Sequence, residues 1–166
     1  MSAASPSAEA TIVLDGEGRY VDASPAALEL LGVDLPTFLT KRPGDFRDPG
    51  APLVDDARQA ELRAAMLGGL VGETTIRRAD GSTFRARFTL APHLDRPGFL
   101  IATIEPISSP HGETVVRTLP EVLEAWRQAD RELASLEPGT AEWRAAKGRV
   151  DDARETYQRL SRLRRG

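Results

Sequence analysis

The sequence has no cysteine and no asparagine, and it contains only two histidines, His93 and His111. Without cysteine there are no disulfides, thiolate zinc sites, iron–sulfur clusters or cysteine nucleophiles, and a cysteinyl photoadduct is also excluded. Two histidines are too few for a His-rich metal centre. The sequence therefore predicts no metal site.

Long apolar runs and an excess of one charge sign are also missing. The 22 basic and 25 acidic residues give a net charge of −3, which predicts neither nucleic acid nor an anionic membrane as a partner. The strongest apolar run, 99–104, is far too short to span a bilayer. The N-terminus lacks the basic and apolar regions of a secretion signal, so we expect a cytoplasmic protein.

Composition divides the 166 residues into four segments. Residues 1–9 are small and polar, which predicts a disordered N-terminus. Residues 10–107 mix short apolar runs with glycine and proline and predict one domain. Residues 108–117 have the composition of a linker. Residues 118–166 are rich in helix-forming residues and predict a helical hairpin.

The pattern in the second segment predicts strands at both ends and helices between them. Two β-prone runs flank an Asp-Gly turn, and Ser24 and Gly32 then bound a short capped helix. A longer helix follows, and the next strand alternates apolar and polar residues so that one face enters a core. The predicted strands are 11–14, 19–23, 73–78, 83–90 and 99–104, and the predicted longer helix is Val54–Leu67.

Three short patches carry a further signal. They are Leu14-Asp15 with Gly18-Arg19, then 23–27 with Leu30-Leu31-Gly32, then 77–82 followed by Phe84. In this order and at these spacings they resemble the PAS domain over residues 10–107. Two positions depart from that family: Ala23 or Ser24 stands where many members have asparagine, and Glu105-Pro106-Ile107 replaces the Asp-x-Thr motif. The second departure argues against a continuous signalling helix that follows the domain.

The resemblance implies an α+β fold with a five-stranded antiparallel sheet in the order 2-1-5-4-3 and short helices on one face. Strands 11–14 and 99–104 would then be central, which agrees with their apolar residues on both faces. The other face of these strands needs a cover. In PAS proteins that cover is a flanking helix or a second subunit.

The resemblance also implies a pocket between the helices and the sheet, although the same residues could simply form a core. We expect no haem, because helix 54–67 lacks a histidine. We expect no flavin, because the chain has no cysteine or asparagine and its three glutamines lie outside the sheet. A small organic ligand of unknown identity remains compatible. The candidate lining is Leu28, Leu31, Phe38, Phe46, Leu62, Met66, Ile76, Phe84 and Phe88.

Arg77, Arg85 and Arg87 form a basic stripe on one predicted sheet face. Such a stripe is either a solvated face with ion pairs or a surface that binds a carboxylate or a partner. No phosphate loop, dinucleotide fingerprint or nucleophile elbow accompanies it. We therefore expect no enzymatic activity.

The C-terminal segment has clear helix boundaries and a regular apolar seam. Thr118 and Glu121 make a capping box, Pro138-Gly139 ends the first helix, and Thr140 caps the second. The apolar residues of the second helix are spaced 3-4-3-4-3, which predicts an αα-hairpin or coiled coil. The seam packs either on its own chain or across a homodimer, and both can hold. The candidate interface residues are Leu119, Val122, Trp126, Leu133, Trp143, Ala146, Val150, Ala153, Tyr157 and Leu160.

The leading hypothesis is a stand-alone PAS-type sensory or regulatory module of signal transduction. It would act through a ligand or protein interaction and helix-mediated homodimerisation, with a separate effector protein and no membrane partner. One alternative is a purely structural dimerisation or protein-interaction module without a ligand. Another is a small nucleic-acid-associated regulator that uses the basic end of the chain, Arg159, Arg162, Arg164 and Arg165.

Overall fold

A six-stranded antiparallel sheet is the centre of the computed structural model, which describes residues 9–50, 55–108 and 115–165. Its strand order is β2-β1-β5-β4-β3-β6. The α+β class and the order 2-1-5-4-3 are confirmed, but the sheet has six strands rather than five. The strands are β1 (Ala10–Leu14), β2 (Tyr20–Ala23), β3 (Leu70–Arg77), β4 (Thr83–Pro92), β5 (Leu100–Pro106) and β6 (Val115–Thr118).

Three helices stand between β2 and β3, and two follow β6. The first two pack beside β1 and β2, with a 3₁₀ turn at Pro43–Phe46 after them. The last two pack against each other. The helices are α1 (Pro25–Leu31), α2 (Leu35–Leu39), α3 (Asp56–Ala65), α4 (Leu119–Ser135) and α5 (Ala141–Arg165).

Side-chain caps fix where the helices begin. The Ser24 hydroxyl accepts a hydrogen bond from the Ala27 amide at 3.3 Å, and α1 ends at Gly32, whose φ is 71°. Helix α3 is shorter than predicted. Asp55 caps it by accepting from the Arg58 amide at 2.8 Å, and the chain tightens to a 3₁₀ turn from Met66. The predicted start at Val54 lies outside the described residues.

The face of the sheet that meets α1 and α2, here called the inner face, carries the main core. Leu31 and Phe38 are 1% and 0% exposed, and they join Ile12, Leu14 and Leu100 in one cluster of buried side chains. The two central strands supply the last three, as the apolar runs of the sequence predict.

In β4, Ala86 is in this cluster and Phe84 and Leu90 pack against it, as the alternation predicts, but Arg85 and Thr89 on the other face are buried rather than in solvent.

The opposite, outer face of β3 and β4 is covered by the hairpin α4–α5 of the same chain. Val71 of β3 is buried with Val122 and Leu160, and Leu119 and Tyr157 pack against them. The C-terminal helices are thus a flanking cover, but they pack on β3, β4 and β6 rather than on the central strands β1 and β5 for which the cover was expected. The seam packs on its own chain and on the sheet.

Strand β6 lies where the sequence predicts the end of a linker at 108–117. It pairs with Leu70–Glu73 of β3, so it shields that part of the sheet edge. Since 109–114 lie outside the described residues, the linker prediction is tested only at its ends. The pairing places the start of α4 at the sheet edge, because α4 begins directly after Thr118.

Candidate functional site

The predicted inner pocket is built around three aromatic rings. Tyr20 and Phe38 stack with their centroids 4.4 Å apart, and Phe46 lies 6.0 Å from Phe38. Burial raises the pKa of the Tyr20 phenol, so it stays protonated at neutral pH. The three stacked rings fill the space between α2, the 3₁₀ turn and the sheet edge.

The nine candidate lining residues divide into three groups. Four are buried in the inner core and three are half-buried against it, whereas Leu62 and Phe88 are half-buried and lie outside that cluster. Most of the predicted set is therefore packed side chain. The buried four are Leu31, Phe38, Phe46 and Ile76, and the half-buried three are Leu28, Met66 and Phe84.

The ten candidate interface residues are brought together within one chain. Ala146 and Leu160 are fully buried, Val122 and Val150 are each 3% exposed, and the other six are half-buried. The small side chain of Ala146 lets α4 and α5 approach closely. A second copy of the chain would therefore need another surface, or a hairpin that has opened.

One member of the seam holds an unsatisfied polar atom. The ring of Trp126 lies 5.5 Å from that of Tyr157, and its indole Nε1 is buried without a hydrogen-bond acceptor among the described residues. A buried donor without an acceptor is destabilising by about 1–3 kcal/mol.

The junction between the domain and the hairpin is an ion pair of Arg58 on α3 with Glu121 on α4. Arg58 Nη1 lies 2.9 Å from Glu121 Oε1 and Nη2 lies 3.0 Å from Oε2, a two-pronged geometry. Arg58 Nη2 also donates to the backbone oxygen of Val116 at 2.9 Å, and Glu121 accepts from the Thr118 amide at 2.8 Å. Arg58 therefore holds strand β6 and the first turn of α4 together.

These contacts favour the charged form of both partners. The hydrogen bond from Arg58 is the largest cause that lowers the pKa of the Glu121 carboxyl below its ordinary 4.5. The carboxylates of Glu121 and Glu61 raise the pKa of Arg58. Both groups are therefore charged at neutral pH, and the junction is intact there.

A second ion pair joins the sheet to α5. Arg159 Nη1 lies 3.0 Å from Glu105 at the end of β5. In register, Glu105 stands beside Arg87 of β4, and Arg87 stands beside Glu73 of β3. Arg87 Nη2 lies 3.1 Å from Glu73 Oε1, so a row of alternating charge crosses the outer face.

A cavity of about 520 Å³ lies between this outer face and the hairpin. Its floor comes from β3, β4 and β6, and its walls come from one face of α4 and one of α5. The sequence alone does not indicate it, because its lining comes from three parts of the chain: β3–β4, β6–α4 and α5. Its lining includes Val71, Glu73, Arg87, Val115, Arg117, Val122, Ala125, Gln128, Ala129, Glu132, Arg149 and Asp152.

The sequence indicates parts of these sites but not the contacts that connect them. Arg58 lies within the predicted longer helix, and the predicted capping box of Thr118 and Glu121 is confirmed. Arg87 belongs to the predicted basic stripe, and the structure places it in ion-pair contact with Glu73. His93 lies at a turn, where its Nδ1 accepts a hydrogen bond from the Asp95 amide at 3.2 Å.

Two kinds of feature are absent from the described ranges. None of the helices there combines the length and hydropathy needed to cross a membrane. Within the same ranges, no three acidic or histidine side chains are grouped as metal ligands would be.

The strand order and the helices on the inner face define a PAS-type sensory fold. The sequence model of the PAS fold family matches residues 5–108, more than half of the chain, so the chain belongs to the PAS family. PAS domains are typical of sensory signal-transduction modules. No curated protein matches the chain significantly.

Solved structures similar to this one share its fold. The LOV protein of Rhodobacter sphaeroides is 18% identical with a TM-score of 0.52, and the match covers 97% of this chain and 92% of that one. The LOV domain of the blue-light activated histidine kinase of Erythrobacter litoralis EL346 is 11% identical with a TM-score of 0.53, over 61% of this chain and 98% of that one. The PAS domain of the fruit-fly ELK potassium channel is 14% identical with a TM-score of 0.52, over 61% and 88%.

Proposed function

We propose that this protein is a regulatory module of signal transduction whose output is the position of its C-terminal hairpin on the sheet. The observation that carries the proposal is the Arg58–Glu121 ion pair, which ties α3 of the PAS domain to the start of α4. A movement of α3 would pull on that pair. The hairpin is thus linked to the domain by contacts as well as by the chain.

Release of the hairpin would turn buried apolar residues into a binding surface. If α4 and α5 left the sheet, Val71 would be exposed on β3, and the hairpin would expose an apolar patch that includes Val122 and Leu160. Such a patch recruits a partner protein or a second copy of the chain. We therefore include helix-mediated dimerisation and a separate effector protein in the proposal only for the released hairpin. While the hairpin lies on the sheet, the seam is internal.

The test is hydrogen exchange of the α4 and β6 amides in Arg58→Met, a variant that keeps part of the aliphatic stem but removes the guanidinium. Arg127→Met is the matched control, because Arg127 is an exposed arginine on α4 whose nearest carboxylate is 4.0 Å away. We expect faster exchange in β6 and α4 for Arg58→Met only, with β1 and β5 unchanged. Equal exchange in both variants would contradict the proposal.

A second candidate is a structural interaction module without a ligand. It is favoured by the filled inner core, where Phe38 is fully buried and stacks on Tyr20. Mass spectrometry of small molecules extracted from the native protein, with its visible absorption spectrum, separates the two. A ligand that co-purifies in stoichiometric amount supports sensing, whereas none in several hosts favours the structural role. In either case we propose a cytoplasmic protein without catalytic activity.

A further inference from the structure

Helix α3 buries too little surface to be stable by itself. None of its ten residues is buried, and its one leucine, Leu62, is only half-buried. Isolated helices shorter than about 12–15 residues are marginal in water even when, as here, alanine and other good helix formers dominate. The folding of α3 therefore depends on the contacts that hold its two ends.

The first turn of α3 is held by the first helix of the hairpin. Arg58 in that turn bonds the carboxylate of Glu121 on α4 and the backbone oxygen of Val116 on β6. Because β6 leads directly into α4, a displacement of the hairpin acts on both acceptors. The start of α3 would then lose its bonds to the carboxylate and to the strand together.

The chain that follows α3 is held by the second helix of the hairpin. It forms the 3₁₀ turn Met66–Gly68, and Gly69 then takes a left-handed φ of 96°. A Cβ placed on Gly69 would lie 3.4 Å from Leu160 Cδ2 of α5, so this fully buried leucine packs directly on the Gly69 backbone. The two helices of the hairpin thus contact the two ends of residues 56–69, here called the α3 segment.

Met66 connects the α3 segment to the inner core. Its side chain packs against the cluster of the inner face, whereas Leu160 belongs to the outer-face cluster with Val71. The Gly69 amide donates to the Met66 backbone oxygen at 3.2 Å, so a single turn of backbone joins the two contacts. A change in the packing of Leu160 therefore acts on the backbone that positions Met66.

We propose that α3 is folded only while the hairpin is docked, so that α3 and the hairpin form one cooperative unit. Release of the hairpin removes the bonds of Arg58 at one end and the packing of Leu160 at the other. Helix α3 then unfolds and uncovers the inner core at Met66. The inference deepens the proposed function and rests on it, because it states which part of the domain changes when the hairpin moves.

Movement of α3 as a rigid helix fits these contacts less well. A helix that moves as a rigid body needs a packed face that keeps it folded, and α3 has none. Helix α1 is shorter, with seven residues, yet it buries Ala27 and Leu31. Elements with few buried apolar contacts open at the lowest free energies in a native protein. By this criterion α3 unfolds locally before α1 does.

The first experiment measures hydrogen exchange of the α3 amides in the full chain with Leu160→Ala. We expect these amides to exchange about tenfold or more faster, together with those of α4 and α5. Leu31→Ala is the matched control, because Leu31 is equally buried and its backbone oxygen accepts from Ala79 in the β3–β4 turn, at the opposite end of β3 from Gly69. Unchanged α3 exchange in Leu160→Ala, or equal acceleration in both variants, would overturn the proposal.

The reciprocal experiment loosens α3 without a change in the hairpin. Ala60→Gly, at an exposed position of α3, should raise α3 exchange about fivefold because glycine has a lower helix propensity. Linkage is reciprocal, so exchange in the hairpin should rise by a similar factor. Glu29→Gly, at an exposed position of α1, is the control and should leave the hairpin unchanged. Wild-type exchange of the hairpin in Ala60→Gly would overturn the coupling, even where Leu160→Ala fails to fold.

Oxidation of Met66 by hydrogen peroxide tests whether the inner core opens. Mass spectrometry, with added N-acetylmethionine as the internal standard, follows the sulfoxide at this position. We expect faster oxidation in Leu160→Ala and in Ala60→Gly, and the wild-type rate in Glu29→Gly. Oxidation at the wild-type rate in the first two variants would show that Met66 stays packed and would contradict the opening of the core.

These outcomes separate the inference from the proposed function. Faster exchange of α4 and β6 in Arg58→Met, with unchanged α3 exchange in Leu160→Ala, would overturn the unfolding of α3 and leave the proposed function standing. Wild-type exchange of α4 and β6 in Arg58→Met, with faster α3 exchange in Leu160→Ala, would contradict the role of the ion pair and support the contact of Leu160 with Gly69 as the connection.

Discussion

Arg58 and Glu121, which are 63 residues apart in the sequence, meet through both nitrogens of the guanidinium and both oxygens of the carboxylate. The same guanidinium reaches the backbone oxygen of Val116 on the outermost strand. An exposed strand edge is a template for pairing with other chains, and a bound cation at one of its acceptors blocks that pairing. One arginine therefore protects the edge of the sheet and fixes the start of the hairpin.

The Arg58–Glu121 interaction should depend on pH in one direction. Arg58 lowers the pKa of Glu121 below 4.5, so the stabilisation is complete above that value and is lost as the pH falls through the lower pKa of the folded protein. A double-mutant cycle with Arg58→Met and Glu121→Gln, measured by urea unfolding, should give a coupling energy at about pH 7 that shrinks towards about pH 3.

The control for that cycle is the pair Arg127 and Glu124 on the surface of α4. Their charged atoms are 4.0 Å apart and both side chains are about 60% exposed, so water screens the interaction. We expect no measurable coupling for this pair at either pH. A coupling for Arg58 and Glu121 that is the same at both pH values would show that Glu121 does not titrate against Arg58.

Val150→Glu should loosen the hairpin and leave the PAS domain folded. Val150 is 3% exposed in the seam between α4 and α5, and a carboxylate placed there has no partner, which costs several kcal/mol. Helix content by circular dichroism should fall while the β-sheet signal of residues 10–107 persists, and any dimer should dissociate or change. Ala145→Glu, on the exposed side of the same helix, is the control. Unchanged helix content and oligomeric state would show that the seam is solvent-exposed.

Two glycine substitutions should change the free energy of unfolding in opposite directions. A Cβ on Gly72 of β3 would collide with the backbone oxygen of Val115 and approach the Phe88 ring to 2.8 Å, so Gly72→Ala should displace β6 and cost about 1–3 kcal/mol. A Cβ on Gly148, within α5, meets nothing within 4 Å, so Gly148→Ala should stabilise by about 0.5–1 kcal/mol. Urea unfolding measures both. Equal effects would mean that β6 does not pack against Gly72.

Much of this fold can be predicted from the sequence, because helix caps and strand alternation depend on residues that are close together in the chain. The hydroxyls of Ser24 and Thr118 cap helices within three residues, and the alternation along β4 assigns each side chain to a face. Strand β6 is four residues long and exists only because the edge of β3 offers backbone partners, so no pattern within 115–118 distinguishes it from a linker. Its pairing is set by tertiary contact.

The candidate site shows the same division. The heptad spacing in α5 predicts that Val150 and Leu160 are buried, but spacing does not say what buries them, and here it is the same chain. The Arg58–Glu121 pair joins residues far apart in the sequence, and the outer-face cavity exists only when the hairpin lies on the sheet. Such sites follow from assembly of the elements.

Substitution of Trp126 tests how much its buried indole N–H, which has no acceptor among the described residues, lowers the stability of the seam. Truncation to alanine removes a large ring that packs on Tyr157 and should cost about 3–5 kcal/mol. Trp126→Phe keeps an aromatic ring and removes the indole N–H, whose burial without an acceptor is itself destabilising by about 1–3 kcal/mol. The relief offsets much of the lost contact area, so we expect Trp126→Phe to be close to neutral in urea unfolding. If it costs as much as Trp126→Ala, then the N–H is satisfied in solution and the seam is wetter than its packing indicates.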